Sequence, residues 1–321
     1  MAILTALALA AAIQSGTQTL PVQTDIDASG PTGPLRGTLL APATSGVPVI
    51  LIIPGSGPTD RNGNGPGMRA STYRLLAEGL STHGITTVRV DKRGMYGSAS
   101  AVPDADEVTI NDYANDVHSW VATIRKRTGV TCVWVLGHSE GGLVALVAGQ
   151  NTNDICGLIL VATPGRPLGD VLREQFQSTP AFAPFVDHAL SVLDVLEAGQ
   201  HVDAARIDPA LMPSFRPQIQ DFVMSELSLD PARLIASYTK PVLIVQGQRD
   251  VQVKQRDAKR LKQADPESEL VLLANTNHVL KVVTTTDRAE NIATYLNPNL
   301  PLANNVIDVI ANFVTSSLMN R

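Results

Sequence analysis

The chain has 321 residues, enough for one large domain or for a core carrying an inserted subdomain. Apolar residues make up 44 % and charged ones 17 %, which supplies a core and excludes a disordered chain. Thirty acidic side chains against 25 Lys and Arg leave a net charge of −5, and no basic run offers a face for nucleic acid. Two cysteines exclude a disulfide-stapled scaffold and a cysteine-built zinc or iron–sulfur site.

The first residues, MAILTALALAAAIQSG, are apolar and uncharged. They are too short for the roughly 20 apolar residues that cross a bilayer. Small residues at Ala8–Ala10 or Ala10–Ala12 suit a cleavage site, so residues 1–15 read as a signal peptide of an exported protein, periplasmic or secreted. The segment holds no Lys or Arg, and a cytoplasmic protein is the alternative. No later stretch is long and apolar enough to span a membrane.

Strand and helix then alternate, which predicts an α/β fold with a mostly parallel sheet and helices on both faces. Strands are expected at 35–41, 49–53, 85–90, 133–136, 155–162, 242–246 and 269–273. Helices are expected at 72–80, 111–125, 141–150, 253–264 and 302–318. Between 165 and 239 there is no convincing strand; helices are expected at 168–177, 182–198 and 219–227, broken by prolines such as Pro180, Pro209 and Pro217. Residues 22–164 and 240–321 thus form the core, and 165–239 a helical cap.

The sequence Val133-Trp134-Val135-Leu136-Gly137-His138-Ser139-Glu140-Gly141-Gly142 sets G-x-S-x-G between a strand and a helix. That context suits a sharp turn that lifts the serine hydroxyl clear of the sheet, with glycines avoiding clashes around it. Ser139 is the candidate nucleophile, and the backbone N–H of Glu140, at a helix N-terminus, faces a developing oxyanion.

A serine needs a base, and the base needs a carboxylate to orient it. Of six histidines, His278 follows the last strand in Asn275-Thr276-Asn277-His278, where it can reach over the sheet edge. His138 adjoins the serine with its side chain expected to point away. His83 and His118 precede the turn, and His188 and His201 fall in the cap as surface residues. Asp250, just after the strand 242–246, is the candidate acid. Asp257 and Asp265 lie on or at the end of the next helix and read as solvated charges.

Pro54-Gly55-Ser56-Gly57-Pro58 follows the strand 49–53. Its Ser56 N–H is the first choice for a second oxyanion donor and Gly57 the next, since Pro58 has no N–H. No Gly-Lys-Ser/Thr follows, so a phosphate loop is rejected. Asp60 and Arg61 continue the loop, and Asp91-Lys92-Arg93 ends the next strand. An Asp60–Arg93 or Arg61–Asp91 pair is expected to brace it.

Taken together, Gly55-Ser56-Gly57-Pro58-Thr59-Asp60-Arg61, Asp91-Lys92-Arg93-Gly94, Gly137-His138-Ser139-Glu140-Gly141, the run from Pro241 to Asp250, and Asn277-His278 resemble a serine esterase of the α/β-hydrolase superfamily, in its carboxylesterase or serine-aminopeptidase-like branch. The resemblance runs from about Leu35 to the C-terminus. It implies an eight-stranded core with a helical cap, and hydrolysis of small carboxylic esters through an acyl-enzyme without metal or cofactor. An aminopeptidase, amidase or acyltransferase using the same residues is the alternative, and a catalytically dead binding protein a further one. Pro54 stands where many relatives have a histidine, outside the catalytic residues. Cys132 and Cys156 begin strands that are adjacent in the family's sheet. Two buried thiols are expected there, with a disulfide as the alternative in an exported protein. Cap residues Phe176, Phe182, Phe185, Leu193, Leu196, Met212, Phe215, Phe222 and Met224 are expected to form mostly the cap's own core, with some facing Ser139.

Overall fold

The computed structural model describes residues 20–42, 48–150, 153–285 and 287–319; the leader expected over residues 1–15 lies outside them. The strands are β1 (Val22–Ser29), β2 (Pro34–Ala41), β3 (Val49–Ile53), the two-residue pair β4 (Asn64–Gly65) and β5 (Met68–Arg69), β6 (Thr86–Val90), β7 (Val133–His138), β8 (Ile155–Val161), β9 (Val242–Gly247) and β10 (Glu269–Leu273). The helices are α1 (Thr72–Thr82), α2 (Ile110–Thr128), α3 (Glu140–Gly149), α4 (Leu168–Ser178), α5 (Val186–Glu197), α6 (Met212–Phe215), α7 (Gln220–Leu227), α8 (Pro231–Ala236), α9 (Gln255–Ala264), α10 (Arg288–Ala293) and α11 (Val306–Met319).

Eight strands make one sheet in the order β1-β2-β6-β3-β7-β8-β9-β10. β1, β2 and β6 pair antiparallel, and β6 through β10 run parallel. The central strands are continuous β-branched and leucine runs because both their faces are covered. Val49, Leu51 and Ile53 of β3 pack with α2, α3 and α9 on one side, while Ile50 and Ile52 pack with α1 and α11 on the other. Among the described residues no helix is long and apolar enough to cross a membrane.

Four expectations need correction. β1 was not foreseen: only Ile26 and Ala28 of its polar sequence are buried, as on an edge strand that meets the core along one row of side chains. The helix expected over 182–198 is broken, with a 3₁₀ segment Pro180–Phe185 before α5, because Pro184 has no N–H to donate and disfavours helix in the residue before it. The helix expected from 253 starts at Gln255, since the Val253 N–H is bonded to Asp250. Cys132 and Cys156 form a disulfide rather than two thiols, with Cα atoms 5.1 Å apart. Val133 pairs with Ile155 but Trp134 with Gly157, so Cys156 is the extra residue of a bulge beside Cys132.

The chain between β8 and β9 carries α4 to α8. Phe176, Leu193, Leu196, Phe215 and Val223 form a separate apolar cluster there, the cap's own core. Ile235 of α8 and Tyr238 instead pack with the main core, so the last part of the 165–239 segment belongs to the core side. Phe222 also leaves the cap cluster, packing its ring edge-on against Tyr113 of α2 at 6.0 Å.

Candidate active site

β7 ends in Gly137 and His138, and α3 begins at Glu140, so Ser139 carries the whole turn with φ 54 and ψ −123. A β-carbon on Gly137 would come 2.1 Å from the Gly141 carbonyl oxygen, and one on Gly141 2.5 Å from those of Ile53 and Pro54. Glycine at both positions therefore lets the turn close against β3. The Ser139 N–H donates to Val161 O at 2.9 Å, which ties the turn to β8. Its hydroxyl makes no capping bond to α3, leaving the oxygen free for other partners.

Asp250 follows β9 and His278 follows β10, and both are buried. His278 Nδ1 lies 2.8 Å from Asp250 Oδ2. A carboxylate only accepts, so Nδ1 carries the proton and Nε2 is left bare as a base. Asp250 Oδ1 accepts the N–H groups of Gln252 at 2.7 Å and Val253 at 2.9 Å. Burial alone would raise the Asp250 carboxyl, but His278 and these N–H groups outweigh it and hold it below its ordinary value. Ser139 and His278 line one recess of about 80 Å³, together with Gly55, Ser56 and Gln252.

That recess adjoins a cavity of about 570 Å³ between core and cap, which Ser139, Ser56 and Gln252 also line. Its walls include Leu143, Val171, Leu172 and Phe222. Ser56 and Gly57 are exposed at its mouth, and Gly57 has φ 71. The Gly55 N–H is already committed to Tyr73 Oη at 2.9 Å, so the oxyanion donor of this loop must lie further on.

The loop's brace is Arg61–Asp91: the Arg61 backbone N–H, Nε and a terminal nitrogen bond the Asp91 carboxylate at 2.8, 2.9 and 2.6 Å. Asp60 turns inward and accepts the N–H groups of Asn62 and Asn64. The Asp60–Arg93 alternative does not form. Arg93 instead grips α2, with Asp116 at 2.7 Å and Asp112 at 3.0 Å. Its neighbour Lys92 is the residue that reaches the site, bonding Gly55 O at 2.8 Å and Glu140 Oε1 at 3.0 Å.

Asp257 is fully buried rather than solvated, accepting the Gly165 and Arg166 N–H groups and the Arg166 guanidinium. Of the remaining histidines, His83 pairs with Asp308, His201 with Asp221, and His188 with Arg206 O, all away from Ser139. His138 is buried between Tyr73 and His278, a role the motif alone did not reveal. Burial and the nearby His278 push it down to about 3, so it is neutral at working pH. Glu226 of α7 lines the cavity, and among the described residues no hydrogen bond or ion pair engages its carboxyl. Desolvation, and then Glu140, raise it well above the usual carboxylate range.

Residues 64–281 match the family described as serine aminopeptidase, S33. The chain is 29 % identical over 231 residues to esterase EstD of Thermotoga maritima, covering 70 % of this chain and 52 % of EstD. It thus spans about half the length of that relative. Among solved structures, the α/β-hydrolase GrgF of Penicillium sp. sh18 is similar with a TM-score of 0.59 at 18 % identity, over 93 % of this chain and 98 % of that one. Est1E of Butyrivibrio proteoclasticus gives 0.57 at 19 %, over 92 % and 99 %. These likenesses carry the fold, and the sheet order, the cap and the turn at Ser139 agree with it. With more than half its length matched, the chain belongs to the serine aminopeptidase family and has the α/β-hydrolase fold.

Proposed function

We propose that the protein is a serine hydrolase of carboxylic esters with short- to medium-chain acyl groups. The observation that carries this reading is the 2.8 Å His278–Asp250 bond beside a recess that Ser139 shares with His278. His278 Nε2 takes the Ser139 proton as Oγ attacks the acyl carbon. The N–H groups of Ser56 and Glu140 hold the oxyanion, with Gly57 as second choice for Ser56. His278 returns the proton to the leaving alcohol, and the acyl group stays on Ser139. Water then gives a proton to His278 and attacks the acyl carbon, and the bond to Ser139 Oγ breaks to release the acid as His278 returns the proton to that oxygen. Asp250 keeps the imidazole in the required tautomer and stabilises its charged form. The esterase name of the half-matched relative EstD agrees with this chemistry.

The largely apolar cavity supports an acyl pocket. A second reading, cleavage of amides from substrates with a free amine, is favoured by Glu226, a carboxyl in the cavity wall with no hydrogen-bond or ion-pair partner among the described residues. One panel tests both: p-nitrophenyl esters from acetate to laurate alongside aminoacyl p-nitroanilides, with wild type and Ser139→Ala. We expect an ester optimum at short to medium chains, and a loss of at least ~10⁴-fold in the variant. Faster anilide than ester turnover would favour the second reading, and unchanged turnover in Ser139→Ala would refute the nucleophile. We also read residues 1–15 as an export signal, which the Cys132–Cys156 disulfide supports.

A further inference from the structure

Three buried polar groups connect the elements that carry the site. The Gly55 N–H donates to Tyr73 Oη at 2.9 Å. Tyr73 Oη lies 3.0 Å from His138 Nδ1, and His138 Nε2 lies 2.8 Å from the backbone carbonyl oxygen of His278. Donor and acceptor roles along this chain are forced. A carbonyl only accepts, so His138 Nε2 must carry the proton. The ring is neutral, hence Nδ1 is bare and accepts the Tyr73 O–H. The phenol oxygen then accepts from Gly55. One directed relay thus runs from the oxyanion loop after β3, through α1, to the residue beside the nucleophile and on to the backbone of the base.

We propose that Tyr73 and His138 are positioning residues that hold the oxyanion loop and the His278 loop in register with Ser139. This inference rests on the proposed reaction at Ser139. The three points are linked by fixed-length bonds, so a shift in one loop is resisted by the other. A relay of neutral groups also serves here because it adds no charge beside His278. The ring of His138 lies 4.7 Å from that of His278, where a second cation would oppose protonation of the base. The Tyr73 hydroxyl is held above its ordinary pKa by burial, so it stays protonated and keeps its donor.

The relay is separable from folding. Thr72 Oγ1 of α1 donates to the Val279 carbonyl at 3.1 Å, and Asn277 Nδ2 donates to Thr294 Oγ1 at 2.7 Å, so the base loop is attached elsewhere. The test compares Tyr73→Phe, His138→Leu, His138→Gln and the double variant Tyr73→Phe/His138→Leu. Each is assayed for kcat and KM on a p-nitrophenyl ester, with the His278 titration midpoint followed by proton NMR. Displacement of a catalytic group by about 1 Å costs roughly 10²-fold. We therefore expect Tyr73→Phe and His138→Leu to lower kcat by roughly 10- to 100-fold with KM little changed. His138→Gln keeps an N–H donor near the ε position and should recover most of the loss. The double variant should be no worse than the poorer single one, since both cut one relay. The His278 midpoint should move in Tyr73→Phe and His138→Leu and return towards wild type in His138→Gln. Additive losses, or folded variants with wild-type kcat and an unmoved midpoint, would overturn the relay. A wild type without Ser139-dependent turnover would instead refute the reaction, while the midpoints would still report on the relay. If Tyr73→Phe does not fold, His138→Gln against His138→Leu makes the same comparison.

Discussion

At the scale of single residues, Asp250 has the tightest specification in the site. Its two carboxylate oxygens are divided between tasks: Oδ1 takes two backbone N–H groups and Oδ2 takes the imidazole. An Asp250→Asn substitution keeps the size and loses the purely accepting character. The amide facing His278 then presents an N–H, and the ring responds by moving its proton to Nε2, the atom that must be bare to accept from Ser139. We expect kcat to fall by about 10⁴-fold with little change in the fold. Steady-state kinetics with circular dichroism as the control checks this, and a loss under ten-fold would remove Asp250 from its proposed role. The positions of Ser139, Asp250 and His278 were legible because each stands at the end of a strand or in the loop that follows one, where a sheet of this kind presents its side chains at one edge. Tyr73, Lys92 and Glu226 were not. Their contributions depend on which face of a helix or strand end turns to the cavity, and one-dimensional order carries no such information.

At the scale of elements, the two arginines of the loop region divide their labour. Arg61 and Asp91 fasten the loop after β3, whereas Arg93 fastens the first two turns of α2. The Arg93 guanidinium meets both oxygens of the Asp116 carboxylate at 2.7 Å, and it also touches Asp112, the residue that completes the capping box with Thr109. Asp112 and Asp116 are one helical turn apart, so a single side chain can bind both. Burial raises the Asp116 carboxyl above its ordinary value, and Arg93 opposes that without cancelling it. Removing Arg93 leaves a buried charge unpaired, a loss of about 3–5 kcal/mol at neutral pH. Without Arg93 the folded-state pKa of Asp116 rises further. Protons then bind the native state more tightly than the unfolded chain, and the destabilisation grows as pH climbs through the carboxylate range. Urea unfolding of Arg93→Ala should therefore show a large deficit at pH 7 and a smaller one near pH 4. An equal deficit at both would mean that packing, rather than charge, accounts for the loss. Arg61→Ala, by contrast, should act on turnover first, because the loop that it holds carries Ser56 and Gly57.

For the whole molecule, the reading of the sheet succeeded where strands are buried on both faces and at the β10 edge, and failed at the β1 edge. β3, β7, β8 and β9 announce themselves through unbroken apolar runs, while β1 offers only two buried side chains in eight residues. The cysteines show a limit of a different kind. Their spacing suggested adjacency, but the bond depends on the bulge at Cys156 that turns its side chain to Cys132, and no sequence pattern predicts a bulge of that kind. The disulfide lies at the start of the two central strands, at the end of the sheet opposite Ser139, so its expected effect is on stability rather than on chemistry. It closes a loop with a sequence separation of 24 residues. Restricting the unfolded chain to that extent contributes about 3 kcal/mol. A Cys132→Ser/Cys156→Ser variant should accordingly unfold at lower urea, with a loss of roughly 2–4 kcal/mol and wild-type kcat per folded molecule. The same bond tests the compartment. Protein isolated from its own host should show no reactive thiol when denatured without reductant, and its N-terminus should lie beyond Ala10. Two titratable thiols together with an intact Met1 would refute export, and would mean that the contact between β7 and β8 serves the chain in its reduced form.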